Sequence, residues 1–541
     1  MLIDQVSSPV APTGARSALE PIAEFAETTG RSVIPLPERV SWDRTEWLSR
    51  PFVHVRVEQG RVSVRGVKAW FGGHVIRLPS SDAVDGVFAA WAANDDGVEI
   101  RNDRSGLYPL YYFASENEFA ASPFLLTLLA LGAPRELDDE ALALFIRWGG
   151  FIGEQTPFRQ IRALPPDCRL TWRRGTLQVT GGMRPAEHRA VDRSAAIDGY
   201  IDLFAQAVRR RPPRGPFDHP LSGGRDSRHI LLELLRQGHV PRHCVTMRHF
   251  PPRPNTDLEI AWELTKAAGL PHLIVDHPRS FVRTEMEKNL WTDLCTDDHA
   301  NYMPLARFLQ RRGTTTVYDG LGGDVLSGVR DEERLQLFRA GRCEELAERM
   351  LDGTRERVLA AILHPDAYRR FGRSLAVGAL TAELLRHVRQ PNPVGSFALG
   401  NRLRRSFALI PYRLYSSVAD VFAPYLDRDL LDFVTSLPAE MLLGRQFHID
   451  VISRAFPKFA HLPFAAGWGY GPPRRDPWFM RRFAGDLLAR MAMRKSAFVR
   501  RGYLAPRLAR RLWEGTDGVR QYFPRTVLHL LQLEAVSESG K

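Results

Sequence analysis

The feature that most constrains this chain is a loop rich in glycine and serine, which lies between a short apolar segment and an amphipathic helix. The loop consists of Leu221, Ser222, Gly223, Gly224, Arg225, Asp226 and Ser227. Backbone N–H groups and serine hydroxyls at the start of a helix can bind phosphate oxygens. Because a carboxylate would repel phosphates, Asp226 indicates that a Mg²⁺ ion lies between them. The loop therefore predicts a binding site for the phosphates of a nucleotide together with magnesium.

Strand-like and helical segments alternate around this loop. Strands are predicted at residues 217–221, 243–248, 272–276 and 314–318, and helices at residues 228–237, 255–268 and 305–310. Such alternation is typical of a parallel sheet with helices on both faces, which binds ligands at the carboxyl ends of its strands. From about residue 335 onward the sequence predicts mostly helical structure.

The first third of the chain has a different pattern. Between residue 52 and about residue 182, short alternating segments are separated by turn residues, which predicts a β-rich domain with a helix near residues 137–148. A chain of 541 residues is also too long for a single hydrophobic core. We therefore expect an N-terminal extension (1–45), a β-rich domain (46–190) and an α/β domain with a helical C-terminal part (191–541).

The composition argues against several classes of protein. The four cysteines, Cys168, Cys244, Cys295 and Cys343, lack metal-ligand spacing, and their scatter favours a reducing, cytoplasmic compartment. The N-terminal residues do not resemble a signal peptide, and no apolar stretch is long enough to span a membrane. The net charge of +12 favours anionic partners, but no aromatic–basic or zinc-finger pattern predicts nucleic-acid binding.

A second glycine-rich loop follows the last predicted strand. It comprises Tyr318, Asp319, Gly320, Leu321, Gly322, Gly323 and Asp324. Since the carboxyl ends of parallel strands share one edge of the sheet, we expect Asp226 and Asp324 to face the same crevice. Two carboxylates in that position predict a Mg²⁺ site.

The two loops, in this order, resemble those of the asparagine synthetase family. Three further segments extend the resemblance, namely residues 102–112 with Ala121 and Ser122, residues 156–166, and residues 422–438. The resemblance implies an N-terminal glutaminase-like domain of the Ntn-hydrolase type, with an αββα arrangement. It also implies a C-terminal ATP-pyrophosphatase (PP-loop) domain with a parallel sheet and a helical extension.

The resemblance further implies a reaction and a set of site residues. Members of this family adenylate a carboxylate with Mg-ATP, release pyrophosphate, and let an amine attack the acyl-adenylate. By this likeness ATP and Mg²⁺ are the expected cofactors, and Asp226 and Asp324 are expected to be both metal ligands and catalytic residues. The residues expected to bind ATP or pyrophosphate are Leu221, Ser222, Gly223, Gly224, Asp226, Ser227, Thr246, Met247, Gly320 and Gly322.

Three positions depart from the family pattern. Leu2 stands where the family's glutaminases carry their nucleophilic cysteine, so we expect no glutamine hydrolysis. Leu321 stands where relatives carry glutamate or, in lactam-forming members, a tyrosine that helps to deprotonate the amine. Ala465, before the step Gly467, Trp468 and Gly469, stands where a lysine stabilises charge as the adenylate breaks down.

These departures leave the general base open. His299 is the candidate catalytic base, because an imidazole titrates near neutral pH. The nearby Tyr318, Asp319 and Asp298 are alternatives for the same role.

The sequence therefore predicts an ATP-dependent ligase that forms an amide bond, as a lactam or macrolactam, without glutamine hydrolysis. The expected partners are a small-molecule or peptide carboxylate and an amine acceptor, with neither nucleic acid nor a membrane; a homodimer or a biosynthetic partner protein stays open. Two alternatives stay open for the function as well. One is an ammonia-dependent amidotransferase similar to asparagine synthetase, and the other is a catalytically inactive nucleotide-binding or regulatory homologue.

Overall fold

The protein is mixed α/β, with a β-rich N-terminal domain and a C-terminal region that is mostly helical. No described helix is both long and apolar enough to cross a membrane. The computed structural model describes residues 17–78, 84–328, 331–351, 353–465, 474–516, 518, 520 and 523–539.

Two antiparallel sheets of five strands form the N-terminal domain. The strands are β1 (Val53–Glu58), β2 (Arg61–Gly66), β3 (Ala69–Arg77), β4 (Val84–Asn94), β5 (Gly97–Asn102), β6 (Tyr111–Ala114), β7 (Glu118–Ser122), β8 (Arg162–Ala163), β9 (Arg169–Arg173) and β10 (Thr176–Thr180). They are ordered β2-β1-β7-β6-β8 in one sheet and β10-β9-β5-β4-β3 in the other. The predicted β-rich domain is thus confirmed.

The two sheets pack face to face, because alternate residues of each strand point inward. The ring of Phe119 in β7 lies 6.0 Å from that of Trp172 in β9, and Trp70 stacks on Trp91 at 4.4 Å. The helices of this part are α1 (Ile22–Thr29), α2 (Arg44–Leu48), α3 (Leu125–Leu131) and α4 (Asp139–Trp148). Helix α1 packs on β3 of the second sheet, and α3 on β6 and β7 of the first.

Helices dominate the C-terminal region. The α-helices are α5 (Arg193–Arg209), α6 (Arg225–Arg236), α7 (Thr256–Ala268), α8 (Phe281–Trp291), α9 (Tyr302–Arg311), α10 (Gly323–Leu326), α11 (Glu332–Arg339), α12 (Cys343–Met350), α13 (Gly353–Ile362), α14 (Pro365–Arg370), α15 (Arg373–Leu385), α16 (Pro393–Phe397), α17 (Arg428–Ser436), α18 (Gln446–Ala455), α19 (Pro477–Ala492), α20 (Arg501–Glu514) and α21 (Pro524–Glu538). Ala398–Phe407 and Ile410–Leu414 are π-helical, and short 3₁₀ turns span Tyr415–Ser417, Pro424–Leu426, Ala439–Leu442 and Pro457–Phe459.

Short parallel strands lie among these helices. They are β11 (His219–Pro220), β12 (Cys244–Met247), β13 (His272–Val275), β14 (Thr316–Tyr318) and β15 (Asp420–Phe422). Strands β11, β12 and β13 pair in that order, and β14 pairs with β15. The Thr315 N–H donates to the Pro216 carbonyl at 3.2 Å, which brings β14 beside β11. The four predicted strands are confirmed with shorter bounds, whereas β15 falls in the stretch predicted to be helical.

The segment before the first sheet packs on both parts of the protein. Ile22 of α1 joins Phe71 and Phe88 in a small apolar cluster on the second sheet. The Arg31 guanidinium donates to the carbonyls of Ser416 and Ala419, at 2.8 and 2.6 Å. The described part of the predicted extension therefore connects the β-rich domain to the C-terminal region.

A buried arginine joins the two parts of the chain at a second place. Arg211, 2% exposed, forms ion pairs with Asp85 of β4 and, at 2.7 Å, with Asp427 before α17. Its Nη1 also donates to the Ala207 carbonyl at 2.9 Å, and its own carbonyl accepts the Tyr318 hydroxyl at 2.6 Å. Both carboxylates are buried, so their charge is balanced within the protein and not by water.

We expect Arg211→Met to lower the free energy of unfolding by about 3–5 kcal/mol, because it removes the buried cation that pairs with Asp85 and leaves Asp427 with Arg210, at 3.1 Å. Arg77→Met is the matched control, since Arg77 pairs with Glu27 at 2.9 Å on the surface. A surface pair of this kind contributes about 1 kcal/mol or less. Urea unfolding measures both changes, and equal effects of the two substitutions would contradict the role given to Arg211.

Candidate functional site

The first glycine loop begins where β11 ends, and α6 follows it directly. The Ser222 N–H donates to the Ser227 hydroxyl at 3.1 Å, and the Gly224 N–H donates to the Ser222 hydroxyl at 3.2 Å. No side chain caps the start of α6, although residue 225 already belongs to the helix. The helix predicted to begin at residue 228 thus begins three residues earlier, at residue 225, and it carries Asp226 in its first turn. Uncapped N–H groups at such a turn attract anions.

Residues on neighbouring elements hold this loop in place. The Gly223 N–H donates to the Asp257 carboxylate, and the Gly223 carbonyl accepts the Ala465 N–H at 2.8 Å. A Cβ on Gly223 would lie 3.0 Å from the Asp257 Cα and 3.2 Å from the Ala465 Cβ, so a side chain has little room there. The Leu221 carbonyl accepts the Thr246 hydroxyl at 2.8 Å.

The second glycine loop touches the first through the side chain of Asp226. A Cβ on Gly320 would lie 2.7 Å from the Asp226 Cβ, and one on Gly323 would lie 2.5 Å from its Oδ1. The Asp324 N–H, one residue later, donates to the Asp226 carboxylate. Gly322 has a φ of +97°, which glycine adopts without steric cost. The glycines at 320 and 323 therefore make room for Asp226.

Asp226 lies in an electrostatically crowded position. Burial, together with the charges of Asp324 and Asp319, raises the pKa of Asp226 well above its usual range. Its side chain keeps 24% exposure, and its Oδ1, which has no hydrogen-bond partner within the described part of the chain, lies 3.4 Å from the Nδ1 of His448. Burial lowers the pKa of His448 to about 3, so that ring supplies no positive charge near neutral pH. A cation in the crevice would relieve this repulsion between carboxylates.

Asp324 and Asp319 complete the acidic side of the crevice. The Arg445 guanidinium donates to the Asp324 Oδ2 at 3.2 Å. Burial raises the pKa of Asp319 to about 6, although its Oδ1 accepts the Leu321 N–H at 2.8 Å. Leu321 itself is buried and presents only apolar atoms.

The donor set fits a magnesium ion that also binds phosphate. No group of three or more His, Cys, Asp and Glu side chains is arranged around a metal position in the described parts of the chain. Magnesium typically takes one or two carboxylates from the protein and completes its shell with water and substrate phosphates. Asp226 and Asp324 are the residues that would hold the ion, and this role stays a prediction.

Thr246 and Met247 lie at the end of β12, as predicted, and both are buried. The Thr246 hydroxyl also interacts with His272 Nε2 at 2.7 Å, while Met247 belongs to the main apolar core. Thr246 therefore positions the first loop through Leu221. Contact of either residue with adenosine stays a prediction.

His299, the candidate base, is buried beside two aromatic rings. Its ring lies 5.9 Å from that of Tyr302 and 4.9 Å from that of Phe407. Burial lowers its pKa to about 4, and neither ring nitrogen has a hydrogen-bond partner among the described residues. The neutral ring is able to accept a proton, but its catalytic role stays a prediction.

The region expected to carry an adenylate-stabilising cation is described only in part. Residues 466–473, which include Gly467, Trp468 and Gly469, lie outside the described residues. The segment just before them is fixed by Arg228, which donates to the carbonyls of Leu462, at 3.1 Å, and Pro463. Arg228 is thus a buried anchor for this segment.

Four residues at the site carried no assigned role in the sequence analysis. Asp257 holds the Gly223 N–H, and His448 faces Asp226. Tyr425 donates its hydroxyl to the Asp226 carbonyl at 3.1 Å, and Arg445 pairs with Asp324. Tyr425 belongs to the segment 422–438 that resembles the asparagine synthetase family, which was the one signal that could have found it.

A family model for a glutamine amidotransferase domain matches residues 80–181, a stretch that includes β4 to β10. This domain fits the N-terminal domain of proteins similar to asparagine synthetase. No curated protein matches the chain significantly. The N-terminal part of the chain therefore contains a domain like that of glutamine amidotransferases.

We expect Gly320→Ala to displace Asp226 and to lower the free energy of unfolding by about 1–3 kcal/mol through overcrowding. Gly378→Ala is the matched control: Gly378 lies inside α15 with open space around it, and alanine is the better helix former. Urea unfolding gives the stability of both variants, and a crystal structure of the Gly320 variant gives the position of Asp226. Unchanged stability with Asp226 in place would show that the contact between the loops is not tight.

Proposed function

We propose that this protein is an ATP-dependent ligase that activates a carboxylate as an acyl-adenylate and joins it to an amine. The observation that supports this most strongly is the insertion of Asp226 against the backbone of Gly320 and Gly323. It unites two glycine loops at the carboxyl ends of β11 and β14, where parallel sheets bind their ligands. The PP-loop assignment rests on this arrangement together with the resemblance to the asparagine synthetase family.

The chain's own groups suit the departure of pyrophosphate. The uncapped first turn of α6 and the hydroxyls of Ser222 and Ser227 would bind the phosphate oxygens. Asp226 and Asp324 would hold Mg²⁺, which neutralises the charge that develops on the leaving pyrophosphate. Asp257 and Thr246 keep the loop in the shape that these contacts need, through Gly223 and Leu221 respectively.

The amine in the proposed reaction comes from a substrate and not from glutamine. Glutamine hydrolysis in amidotransferases of this kind needs a thiolate, and all four cysteines of the chain are buried. Burial raises the pKa of Cys168, Cys244 and Cys295 to about 12 in each case, and also raises that of Cys343. In this proposal the glutamine amidotransferase-like domain packs against the synthetase part without hydrolysing glutamine.

We expect Asp226→Asn to reduce ATP–pyrophosphate exchange by at least about 100-fold, since it removes the charge while keeping the shape of the side chain. Exchange is measured with Mg-ATP and a panel of amino acids, short peptides and other carboxylic acids. Asp198→Asn is the control, because Asp198 lies exposed on α5 in an ion pair with Arg454.

Binding of ATP in the presence of Mg²⁺, measured by isothermal titration, provides a readout that needs no carboxylate. It should weaken in the Asp226 variant and stay unchanged in the Asp198 variant. Absence of Mg-ATP binding by the wild-type protein would refute the proposal. Binding without exchange for any carboxylate would favour the nucleotide-binding homologue, and exchange with aspartate followed by amide formation with ammonium alone would favour the ammonia-dependent alternative.

A separate prediction concerns the cysteines. We expect none of the four thiols to react with Ellman's reagent until the protein is unfolded, and we expect incubation with glutamine to release no glutamate. Thiol counting by absorbance before and after addition of guanidinium measures the first, and a coupled glutamate assay measures the second. Glutamate release that is lost in Cys168→Ala would overturn the proposed source of the amine.

A further inference from the structure

A cavity of about 60 Å³ lies between the β-rich domain and the helical region, and Leu326 of α10 also lines it. The β-rich domain contributes Arg104, Ser105 and Pro166 to its wall, and α16 contributes Gly395 and Ser396. A space of this size holds about four water molecules, or one small acyl group.

Ser396 belongs to a hydrogen-bonded row of three side chains. Its Oγ lies 2.8 Å from the Nδ1 of His387, and the Nε2 of His387 lies 3.3 Å from the Oε1 of Glu383. Asn401 donates to the same Glu383 oxygen at 3.0 Å. Helix α15 carries Glu383, and α16 carries Ser396, so two neighbouring helices bring the row together.

The electrostatics of the row favour a serine that can give up its proton. Burial opposes ionisation of Glu383, but hydrogen bonds from His387 and Asn401 and the charge of Arg386 lower its pKa to about 2. The carboxylate therefore accepts the Nε2–H of His387, which leaves Nδ1 as an acceptor for the Ser396 hydroxyl, whose other acceptor is the Met183 Sδ at 3.6 Å. His387 is 1% exposed, so water does not compete for these hydrogen bonds.

The same cavity contains a donor for a negatively charged oxygen. Arg104 forms an ion pair with Asp432 through its Nη2. Its Nη1 is buried and has no hydrogen-bond partner among the described residues. As a residue of the cavity wall, Arg104 supplies a positive charge that would stabilise an oxyanion or carboxylate in the cavity.

We propose that Ser396, His387 and Glu383 form a nucleophilic triad that hydrolyses small acyl esters in this cavity. The Ser396 Oγ bonds to the ester carbonyl carbon while its proton passes to His387 Nδ1, and the carbonyl oxygen becomes the oxyanion beside Arg104. The carbon–oxygen bond to the alcohol then breaks, and His387 returns the proton to the departing alcohol. Water attacks the acyl-serine by the same proton route, which releases the carboxylic acid and restores the serine hydroxyl.

This activity is additional to the proposed ligase and uses neither glycine loop. The cavity admits only a small acyl group, of about the size of acetyl, because its volume is so limited. 4-Nitrophenyl acetate is therefore a suitable probe, since its acyl group is small and its leaving group is detected by absorbance.

The test measures hydrolysis of 4-nitrophenyl acetate and maps acetyl groups on the acid-quenched protein by mass spectrometry. We expect acetylation at Ser396 in the wild-type protein, and a fall in rate of at least about 100-fold in Ser396→Ala and His387→Gln. Glu383→Gln should slow the reaction at least about tenfold while retaining the acetyl mark on Ser396. Thermal unfolding checks that each variant is folded.

Ser436→Ala is the matched control, because Ser436 is also buried at a helix end but donates to the Phe433 carbonyl and not to a histidine. It should keep the full rate. Acetylation spread over lysines, or an unchanged rate in folded Ser396→Ala, would overturn the proposal and leave the row a structural hydrogen-bond network.

Discussion

A buried guanidinium at the junction of the two halves of this protein helps to fix their relative position. Arg211 balances the charge of Asp85 in the β-rich domain and of Asp427 in the helical region. Its carbonyl also accepts the hydroxyl of Tyr318, the last residue of β14 and the residue before Asp319. Because two buried carboxylates and a strand end converge on one residue, the second glycine loop is fixed relative to the β-rich domain.

The contact between Asp226 and the second loop explains why that loop has glycine at positions 320 and 323. Gly320 and Gly323 leave space for a carboxylate, and that carboxylate accepts the N–H of Asp324. Glycine in the first loop has a similar purpose, since Gly223 packs against Asp257 and Ala465. The crevice therefore concentrates carboxylates where the two loops meet.

The β-rich domain makes contacts with the rest of the protein that do not depend on glutamine hydrolysis. Its one cysteine, Cys168, is buried, yet the domain supplies Asp85 to the Arg211 ion pairs and Arg104 to the cavity beside Ser396. A domain of the glutamine amidotransferase type can thus be kept for its packing surface. In this protein that surface also closes a cavity with its own row of serine, histidine and glutamate.

The sequence by itself determined the β-rich domain, four parallel strands and the two glycine loops, because these features depend on local pattern and on residues next to each other in the chain. It could not place β15, which pairs with β14 across about a hundred residues of helical chain, nor could it find Asp257, His448 or Arg445 beside the loops. Only the tertiary structure buried His299 beside Phe407 and turned Arg228 towards backbone carbonyls. These outcomes depend on long-range packing and on the burial of charge, and neither is encoded in the spacing of a motif.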